Sequence, residues 1–340
     1  MLCLELLFLM IGFTLGKFLP PHNGHIHLIR EGARQVDRMY VLMCSINREP
    51  IPGYLRYHWM KKIFADDPNI QVIHVTDENP QEPVDHPDFW RIWAGTFERN
   101  LPEKPDIFFS SETYGFELER ELGIKHILID LQRSTIPISA RYIRQEPFKH
   151  WEYIPAEVRP YYVKKVVLTG PESVGKSVLA EQLARHFQTE WLPEYGRTYY
   201  EEKMPHFEYL GISHIAGGHL MLEEQILCKA NKILFLDTDL ILTQIWSEIY
   251  FNQCPDWIIE ANHQPRQRAA LYLLLKPDLP WIDDGTRNYG HIREEQFQTI
   301  RRELEKRRLK YIIIEGDFEN RLAQAIAAVE NYILPEIKTR

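Results

Sequence analysis

The 340-residue sequence predicts an α/β protein with two doubly wound parallel-sheet domains. Short apolar runs alternate with stretches of helical periodicity, which is typical of parallel strands joined by crossover helices. Two glycine-containing turns, Gly16–His25 and Gly170–Ser177, each follow an apolar run and precede a helical stretch. This order of strand, turn and helix places each turn at the carboxyl edge of a parallel sheet, where ligands bind in this fold class.

The first half of the chain contains five apolar runs of strand length. They are Leu6–Leu15, Met39–Ile46, Ile70–Val75, Ile107–Phe109 and Ile127–Ile129. The helix after the first glycine turn is predicted from His25 onward, because apolar residues recur there at helical spacing. These residues are Ile26, Ile29, Ala33 and Val36. Helical stretches also separate the other runs, so one parallel sheet is expected.

The N-terminal segment Met1–Phe13 is strongly apolar and could be mistaken for a signal peptide. It has no basic residues ahead of its apolar part, it contains Glu5, and it runs into the glycine turn without a cleavage-like break. It is also too short to span a bilayer. We therefore expect a buried strand here and no membrane partner.

Charge and cysteine usage exclude several classes of protein. The formal net charge is −8 and the pI is about 6.0, so no global basic field indicates nucleic acid binding. The four cysteines form no Cys-x-x-Cys pair, which favours a reduced, cytoplasmic protein without a disulfide framework or zinc ribbon. They are Cys3, Cys44, Cys228 and Cys254.

The second glycine turn is a complete Walker A phosphate loop, Gly-x-x-x-x-Gly-Lys-Ser, between the apolar run Val166–Thr169 and a helix that begins at about Lys176. Its backbone N–H groups are expected to surround the phosphates of ATP. Lys176 is predicted to reach the β and γ phosphates, and the hydroxyl of Ser177 to hold Mg²⁺. The predicted nucleotide-binding positions of the loop are Gly170, Ser173, Gly175, Lys176 and Ser177. The alternative is a glycine turn that binds nothing.

A carboxylate at the end of a neighbouring strand is the usual second anchor for Mg²⁺ beside such a loop. The run Ile233–Leu236 ends at Asp237, which we predict for this role, with Asp239 as a weaker candidate. The alternative is that both carboxylates cap the helix that starts at Leu240. The remaining predicted strands of this half are Leu271–Leu275 and Ile312–Ile314.

The first glycine turn has the form Gly-x-Phe-x-Pro-x-His-x-Gly-His and brings His22 and His25 to the start of a helix. In adenylyl transfer, an anionic phosphate attacks the α-phosphate of ATP, so a protein needs to supply alignment and positive donors rather than a nucleophile. Two imidazoles and a helix N-terminus are such donors. The alternatives are a metal cluster that includes His27, or histidines in a surface turn.

The first turn is similar to the nucleotidyltransferase superfamily marked by His-x-Gly-His. A second superfamily motif, Ile-Ser-x-Thr-x-Ile-Arg, recurs at Ile138–Arg144, where Arg141 replaces the threonine. The resemblance implies that Ser139 and Arg144 hold the phosphates of ATP from the far side. It also implies nucleotide contacts at Gly16 and Phe18.

The order of the two motifs resembles the NadR family, which joins nicotinamide mononucleotide (NMN) adenylyltransferase to ribosylnicotinamide kinase. Segments that carry the resemblance include Arg48–Gly53, Trp90–Trp93, Pro147–Pro160 and Pro193–Arg197. It implies a transferase domain over residues 1–150, a connector over 151–163 and a kinase domain over 164–340. The implied reactions are phosphorylation of nicotinamide riboside (NR) with Mg·ATP, and condensation of NMN with ATP to NAD and pyrophosphate.

The resemblance also implies roles for two kinase residues. Glu194 would accept a proton from, or orient, the ribose 5′-hydroxyl, and Arg287 would neutralise charge on the transferring phosphoryl group. A helix cap and a solvated turn arginine are the respective alternatives. Tyr199 and Trp281 are equally suited to stack on the nicotinamide ring or to lie in the core.

The resemblance implies a homo-oligomer. The residues ahead of Gly16 are few and apolar, so we expect no helix-turn-helix module and no DNA partner. Two functional alternatives stay open. One is a kinase coupled to a weak or inactive transferase domain that senses NAD or ATP, because Arg141 replaces the motif threonine. The other keeps both folds with a different acceptor, such as pantetheine phosphate, or uses CTP with an alcohol.

Overall fold

The computed structural model describes residues 9–203, 208–280 and 292–338. The chain divides into two compact units, one up to Val158 and one from Arg159 onward. This division falls inside the segment expected as the connector. Each unit contains a five-stranded sheet in which all strand pairs are parallel. The predicted fold class is therefore confirmed.

The first unit alternates strands and helices. Its strands are β1 (Ile11–Gly16), β2 (Arg38–Cys44), β3 (Ile70–Val75), β4 (Ile107–Ser110) and β5 (Lys125–Leu128). Its helices are α1 (Asn23–Ala33), α2 (Gly53–Ile63), α3 (Phe89–Asn100), α4 (Gly115–Leu122) and α5 (Ala140–Gln145). The strand order is β3-β2-β1-β4-β5. Chain order reverses at β1, so the first glycine turn leaves the sheet at the switch point where ligands bind in such sheets.

The core of the first unit fixes β1 in the middle of the sheet. Phe13 is completely buried, and its ring centroid lies 5.5 Å from that of Phe97 and 4.9 Å from that of Phe108. Tilted aromatic pairs at this spacing add to the stabilisation that burial alone provides. Helix α1 packs against β1, β2 and β4 and so keeps its N-terminus over the switch point.

The first strand begins later than predicted. It starts at Ile11, while Leu9 and Met10 are 50% and 44% exposed and Leu6–Phe8 lie outside the described residues. The backbone of Met10 bonds instead to Asp37, in the turn before β2. The apolar run therefore overestimated the length of the strand, because the strand starts only where its backbone begins to pair with β2. The helix prediction was also shifted, since α1 starts at Asn23 and ends before Val36.

The second unit has the same alternation. Its strands are β6 (Lys164–Thr169), β7 (Trp191–Leu192), β8 (Ile233–Asp237), β9 (Leu271–Leu275) and β10 (Tyr311–Ile314). Its described helices are α6 (Lys176–Phe187), α7 (Tyr195–Lys203), α8 (Tyr209–Leu227), α9 (Leu240–Phe251), α10 (Asp256–Asn262), α11 (Arg293–Lys306), α12 (Phe318–Tyr332) and α13 (Leu334–Lys338). Strand β7 has only two residues, so no periodic pattern in the sequence could predict it.

The strand order of the second unit is β10-β9-β6-β8-β7. Strands β6 and β8 are neighbours, and Leu168 pairs with Asp237. The phosphate loop, which follows β6, and the carboxylate that ends β8 therefore leave the same edge of the sheet. Fully buried residues of the central strands, including Val167, Leu234 and Leu274, join one core cluster with α9 and α11.

No helix in the described parts of the chain combines the length and the apolar content needed to cross a bilayer.

Candidate functional sites

The phosphate loop of the second unit has the backbone that a tight anion-binding turn requires. Gly175 caps α6 at φ = 84°, and Ser173 also lies in the left-handed region at φ = 55°. A Cβ atom at Gly175 would meet the ring of Phe318 at 3.1 Å. Glycine is therefore needed at this position for both its conformation and its space.

Lys176 lies within the loop. Its Nζ donates to the carbonyls of Gly170, at 3.2 Å, and Pro171, at 2.8 Å. Neutral carbonyls are weaker partners for an ammonium group than phosphate oxygens. The amine is consequently held at the loop by contacts that an incoming phosphate can replace.

Ser177 and Asp237 meet at the carboxyl edge of the sheet, where the hydroxyl donates to Oδ2 of the carboxylate. Asp237 is completely buried, and its Oδ1 finds no hydrogen-bond partner among the described residues. Burial first, and then the charge of Glu194, raise the pKa of Asp237 to about 6, against the lowering effects of Lys176 and Ser177. A hydroxyl beside a buried carboxylate with an orphaned oxygen fits a hard divalent cation.

Asp239 has a different task. Its Oδ1 accepts from the N–H groups of Ile241 and Leu242, both at 3.1 Å, so it is the N-cap of α9. Its Oδ2 accepts from the hydroxyl of Tyr272 at 2.8 Å. The capping alternative thus describes Asp239, whereas Asp237 keeps an oxygen for another ligand. The role of Asp237 at a metal stays a prediction.

Two more residues of the second unit lie close enough to Asp237 to shift the pKa of its carboxyl. Glu194, directly after β7, raises the pKa of the Asp237 carboxyl, and Arg197 in α7 lowers it. The structure thus places Glu194 near the phosphate-loop edge, together with Arg197, to which no role was assigned from the sequence. The role of Glu194 toward a ribose hydroxyl stays a prediction. Arg287 and Trp281 lie outside the described residues.

The first glycine turn stacks its two histidines. His22 caps α1, and its Nδ1 accepts from the backbone N–H of His25 at 3.3 Å. The two ring centroids are 3.6 Å apart, and the ring of Phe18 meets His25 edge-on at 4.9 Å. A Cβ atom on Gly24 would come within 3.0 Å of the His22 ring. The glycine of His-x-Gly-His therefore makes room for the stacked pair.

Both imidazoles are neutral at physiological pH. Burial is the main cause that lowers the pKa of His22 to about 3, and Arg133 adds to it. Burial, then His22 and Arg133, hold the pKa of His25 well below its usual range. Because Nδ1 of His22 accepts a hydrogen bond, its proton is assigned to Nε2, which can donate to a ligand. Nδ1 of His25 is buried without a hydrogen-bond partner among the described residues.

The second transferase motif reaches the same turn. Ser139 caps α5, where its hydroxyl accepts from the N–H of Tyr142 at 3.4 Å. Arg144 donates to the carbonyl of Leu19, inside the first glycine turn. The structure thus joins two motifs that are distant in sequence. The contacts of Ser139 and Arg144 with ATP phosphates stay a prediction. Arg141, which replaces the motif threonine, is exposed in the first turn of α5.

Two arginines near the first glycine turn were not predicted from the sequence. Arg133 follows β5, and its charge acts on both histidines. Arg56 of α2 is completely buried and donates to the carbonyls of Lys17 and Ile51 and to the carboxylate of Glu49. No local pattern distinguishes such an arginine from the exposed ones that are the rule.

A cleft of about 560 Å³ opens beside the carboxyl ends of β2 and β3. Arg48, in one of the segments that resemble the NadR family, is one of its walls. The other lining residues are Asn47, Glu78, Asn79, Pro80, Gln81, Asp85 and His86. Trp93, from another such segment, donates to the carbonyl of Pro80 at 3.0 Å. The cleft gives the first unit room for a small molecule at the ligand-binding edge.

The neutral histidines predict a pH-dependent stability of the first unit. Their folded pKa values lie below the unfolded value of about 6.5, so the unfolded chain binds more protons as pH falls below that value, and folding weakens. Each histidine should contribute about 1.4 kcal/mol per pH unit well below pH 6.5, and about 1 kcal/mol between pH 6.5 and 5.5, where the unfolded imidazole is only partly protonated. We expect His25→Gln to lose about 1 kcal/mol less of its free energy of unfolding than the wild type over that interval, measured by urea unfolding. Equal losses in both proteins would contradict a His25 that stays neutral in the folded state.

The fold and the two turns define the class: a two-unit nucleotide-binding α/β protein with a His-x-Gly-His unit and a phosphate-loop unit. The family model described as AAA domain matches residues 165–321. The chain is 33% identical over 344 aligned residues to the trifunctional NAD biosynthesis/regulator protein NadR of Escherichia coli K12, covering 94% of this chain and 82% of that protein. The chain belongs to the NadR family, which confirms the resemblance.

Other relatives agree with this assignment. The nicotinamide-nucleotide adenylyltransferase of Thermococcus onnurineus is 26% identical over 161 residues, which is 44% of this chain and 80% of that protein. Two solved NadR structures, one in complex with NR and one with NAD and AMP-PNP, share the fold at a TM-score of 0.76 and 24% identity. Each covers 95% of this chain, and the alignments span 95% and 96% of those chains.

Proposed function

We propose that the chain is a cytosolic, bifunctional enzyme of NAD salvage. The second unit phosphorylates NR with Mg·ATP to give NMN and ADP, and the first unit condenses NMN with ATP to give NAD and pyrophosphate. The observation that carries the proposal is the presence of two separate phosphate turns, on two separate parallel sheets, in a chain of the NadR family.

The ligands of the relatives support this choice of substrates. NR, NAD and an ATP analogue are bound by NadR proteins of the same fold. A relative of smaller coverage is an adenylyltransferase that acts on nicotinamide nucleotide. Cys44 and Cys254 are free thiols, which supports a reduced compartment.

In the kinase reaction, the 5′-hydroxyl oxygen of NR attacks the γ-phosphorus of ATP, the bond to the β–γ bridging oxygen breaks, and ADP leaves. Glu194 orients the hydroxyl and accepts its proton. Lys176 exchanges its loop carbonyls for phosphate oxygens, and Ser177 and Asp237 would hold Mg²⁺. When bound, the ion neutralises charge on the β and γ phosphates.

In the transferase reaction, a phosphate oxygen of NMN attacks the α-phosphorus of the second ATP, and pyrophosphate leaves. No residue has to act as a nucleophile. Nε2–H of His22 donates to the phosphates, while Arg133 and Arg144 add positive charge at the same turn. The neutral imidazoles lie beside the N-terminus of α1, so partial charges and donors are aligned before the reaction begins.

The decisive experiment mixes the full chain with NR, ATP and Mg²⁺ and identifies the products by mass. We expect NMN to appear first, and then NAD, with ADP and pyrophosphate released. NMN without NAD, together with tight binding of NAD, would favour a kinase coupled to a sensing domain. If neither NMN nor NAD appears, but another acceptor offered in a panel is phosphorylated or adenylylated, the proposed substrates are wrong.

The Mg²⁺ assignment predicts a specific defect for Asp237→Asn. Loss of the carboxylate charge should raise the Mg²⁺ concentration that half-saturates the kinase reaction by about tenfold or more, since a ligand of a hard cation is weakened. A Mg²⁺ titration of NR phosphorylation measures this. The exposed Asp256→Asn is the matched control and should behave like the wild type. An unchanged Mg²⁺ requirement in Asp237→Asn would remove Asp237 from the metal site.

A further inference from the structure

A buried arginine joins three segments behind the phosphate loop. Arg321 of α12 is only 2% exposed. It donates to the carbonyls of Val174 at 2.6 Å, Lys276 at 2.8 Å and Gly316 at 2.7 Å. It also forms an ion pair with Asp278. Its acceptors therefore come from the phosphate loop, from the chain after β9 and from the chain after β10.

The groups that bind Arg321 are also bonded to one another. Asp278 uses its second oxygen, Oδ2, to accept from the N–H of Gly316 at 2.7 Å. A buried guanidinium is tolerated only when its donors find acceptors and its charge is paired. Both conditions hold here, and they tie the loop to two other strand ends.

A second buried arginine holds the preceding loop carbonyl. Arg293, at the start of α11, is 7% exposed and donates to the carbonyl of Ser173 at 3.3 Å and to that of Leu279 at 3.0 Å. Two consecutive carbonyls of the phosphate loop, those of Ser173 and Val174, are thus held from outside by charged donors.

The planarity of the peptide bond turns these contacts into a constraint on the loop. In a trans peptide, the carbonyl and the following N–H point in opposite directions. A carbonyl of Ser173 fixed on Arg293 therefore aims the N–H of Val174 the other way. A carbonyl of Val174 fixed on Arg321 does the same for the N–H of Gly175. These are donors that a phosphate loop offers to the nucleotide.

We propose that Arg321, assisted by Arg293, is a positioning residue of the kinase unit that presets the phosphate loop for the triphosphate of ATP. The kinetic test of this inference rests on the proposed kinase function. The inference itself concerns how the loop binds ATP and does not depend on which molecule accepts the phosphate. Arg321 acts through the peptide groups of the loop and touches neither substrate.

The test is Arg321→Lys. Lysine keeps the charge but cannot present the planar fork that reaches three carbonyls and a carboxylate. We expect the KM for ATP in the kinase reaction to rise by about 10- to 100-fold, as for the loss of other outer-shell contacts. The KM for NR and the transferase rate of the same protein should stay within about twofold, because their groups lie elsewhere.

Two controls separate positioning from stability. Arg302→Lys, an exposed arginine of α11, makes the same chemical change without a buried contact and should match the wild type. Thermal unfolding shows whether Arg321→Lys is folded. If it is not, Asp278→Asn is tested instead, because it leaves the arginine in place and should show the same selective rise in KM for ATP. A fall in kcat that matches the loss of folded protein, with an unchanged KM for ATP, would reduce Arg321 to a structural role.

A nucleotide-binding measurement tests the role of Arg321 without a phosphate acceptor. If the wild type does not phosphorylate NR, the proposed function is wrong. Titration with AMP-PNP then still shows whether Arg321 affects nucleotide binding. Both proteins are titrated in a His25→Ala background, which weakens the nucleotide site of the first unit. Weaker AMP-PNP binding by about tenfold or more in Arg321→Lys supports the inference, and equal binding overturns it.

Discussion

Lys176→Met is expected to lower kcat/KM for NR phosphorylation by about a thousandfold, while NMN adenylylation keeps its wild-type rate. Removing one charged donor from a site where phosphate charge develops costs a factor of this order. The amine lies among the loop carbonyls of Gly170 and Pro171, so no other cation on the described loop can replace it. Separate kinase and transferase assays on one preparation measure both effects.

The control for this variant is Lys229→Met, at an exposed position of the same unit. It makes the same chemical change away from the phosphate loop and should leave both reactions unchanged. Loss of both activities in a Lys176→Met protein that stays folded would contradict two separate sites. Retained kinase activity would contradict the assignment of the phosphate loop.

The complementary substitution is His25→Ala. We expect kcat/KM for NMN adenylylation to fall by about 100- to 1000-fold, with NR phosphorylation unchanged. The imidazole of His25 is stacked on His22 and keeps a buried nitrogen without a partner among the described residues. Its removal takes away one donor and also the ring that holds His22 in place. Pyrophosphate release in the presence of NMN and ATP measures the effect.

His27→Ala is the matched control, because His27 lies two residues further along α1 and outside the stacked pair. It should retain adenylyl transfer. An equal loss in His25→Ala and His27→Ala would instead favour the metal-cluster alternative for these histidines. Loss of kinase activity in a folded His25→Ala protein would show that the two sites depend on each other.

Much of the fold could be predicted because its signals are local. The strands Ile70–Val75 and Leu271–Leu275 were predicted with the bounds that the structure shows, since their apolar runs have abrupt ends. The first strand was predicted too long, because hydrophobic residues continue past the point at which the ladder to β2 begins. Hydrophobicity reflects only the preference of each residue for burial, whereas the start of a strand depends on where its backbone pairs with a neighbouring strand.

The candidate sites divide in the same way. The turns that contain His22, His25 and Lys176 carry their spacing within about ten residues, and such spacing is visible in a sequence. The association of Ser177 with Asp237 was foreseen because the phosphate-loop pattern includes a strand-end carboxylate. The structure then separated Asp237 from Asp239 by their hydrogen bonds.

The sequence by itself determined the two sheets, the two phosphate turns and membership of the NadR family, since each depends on short-range patterns or on alignment along the chain. Only the tertiary structure decided which arginines lie behind the turns. Arg56 contacts Lys17, and Arg321 contacts Val174 across 147 positions. A guanidinium is usually solvated, so its burial depends on carbonyls that strand order and register bring together from distant segments.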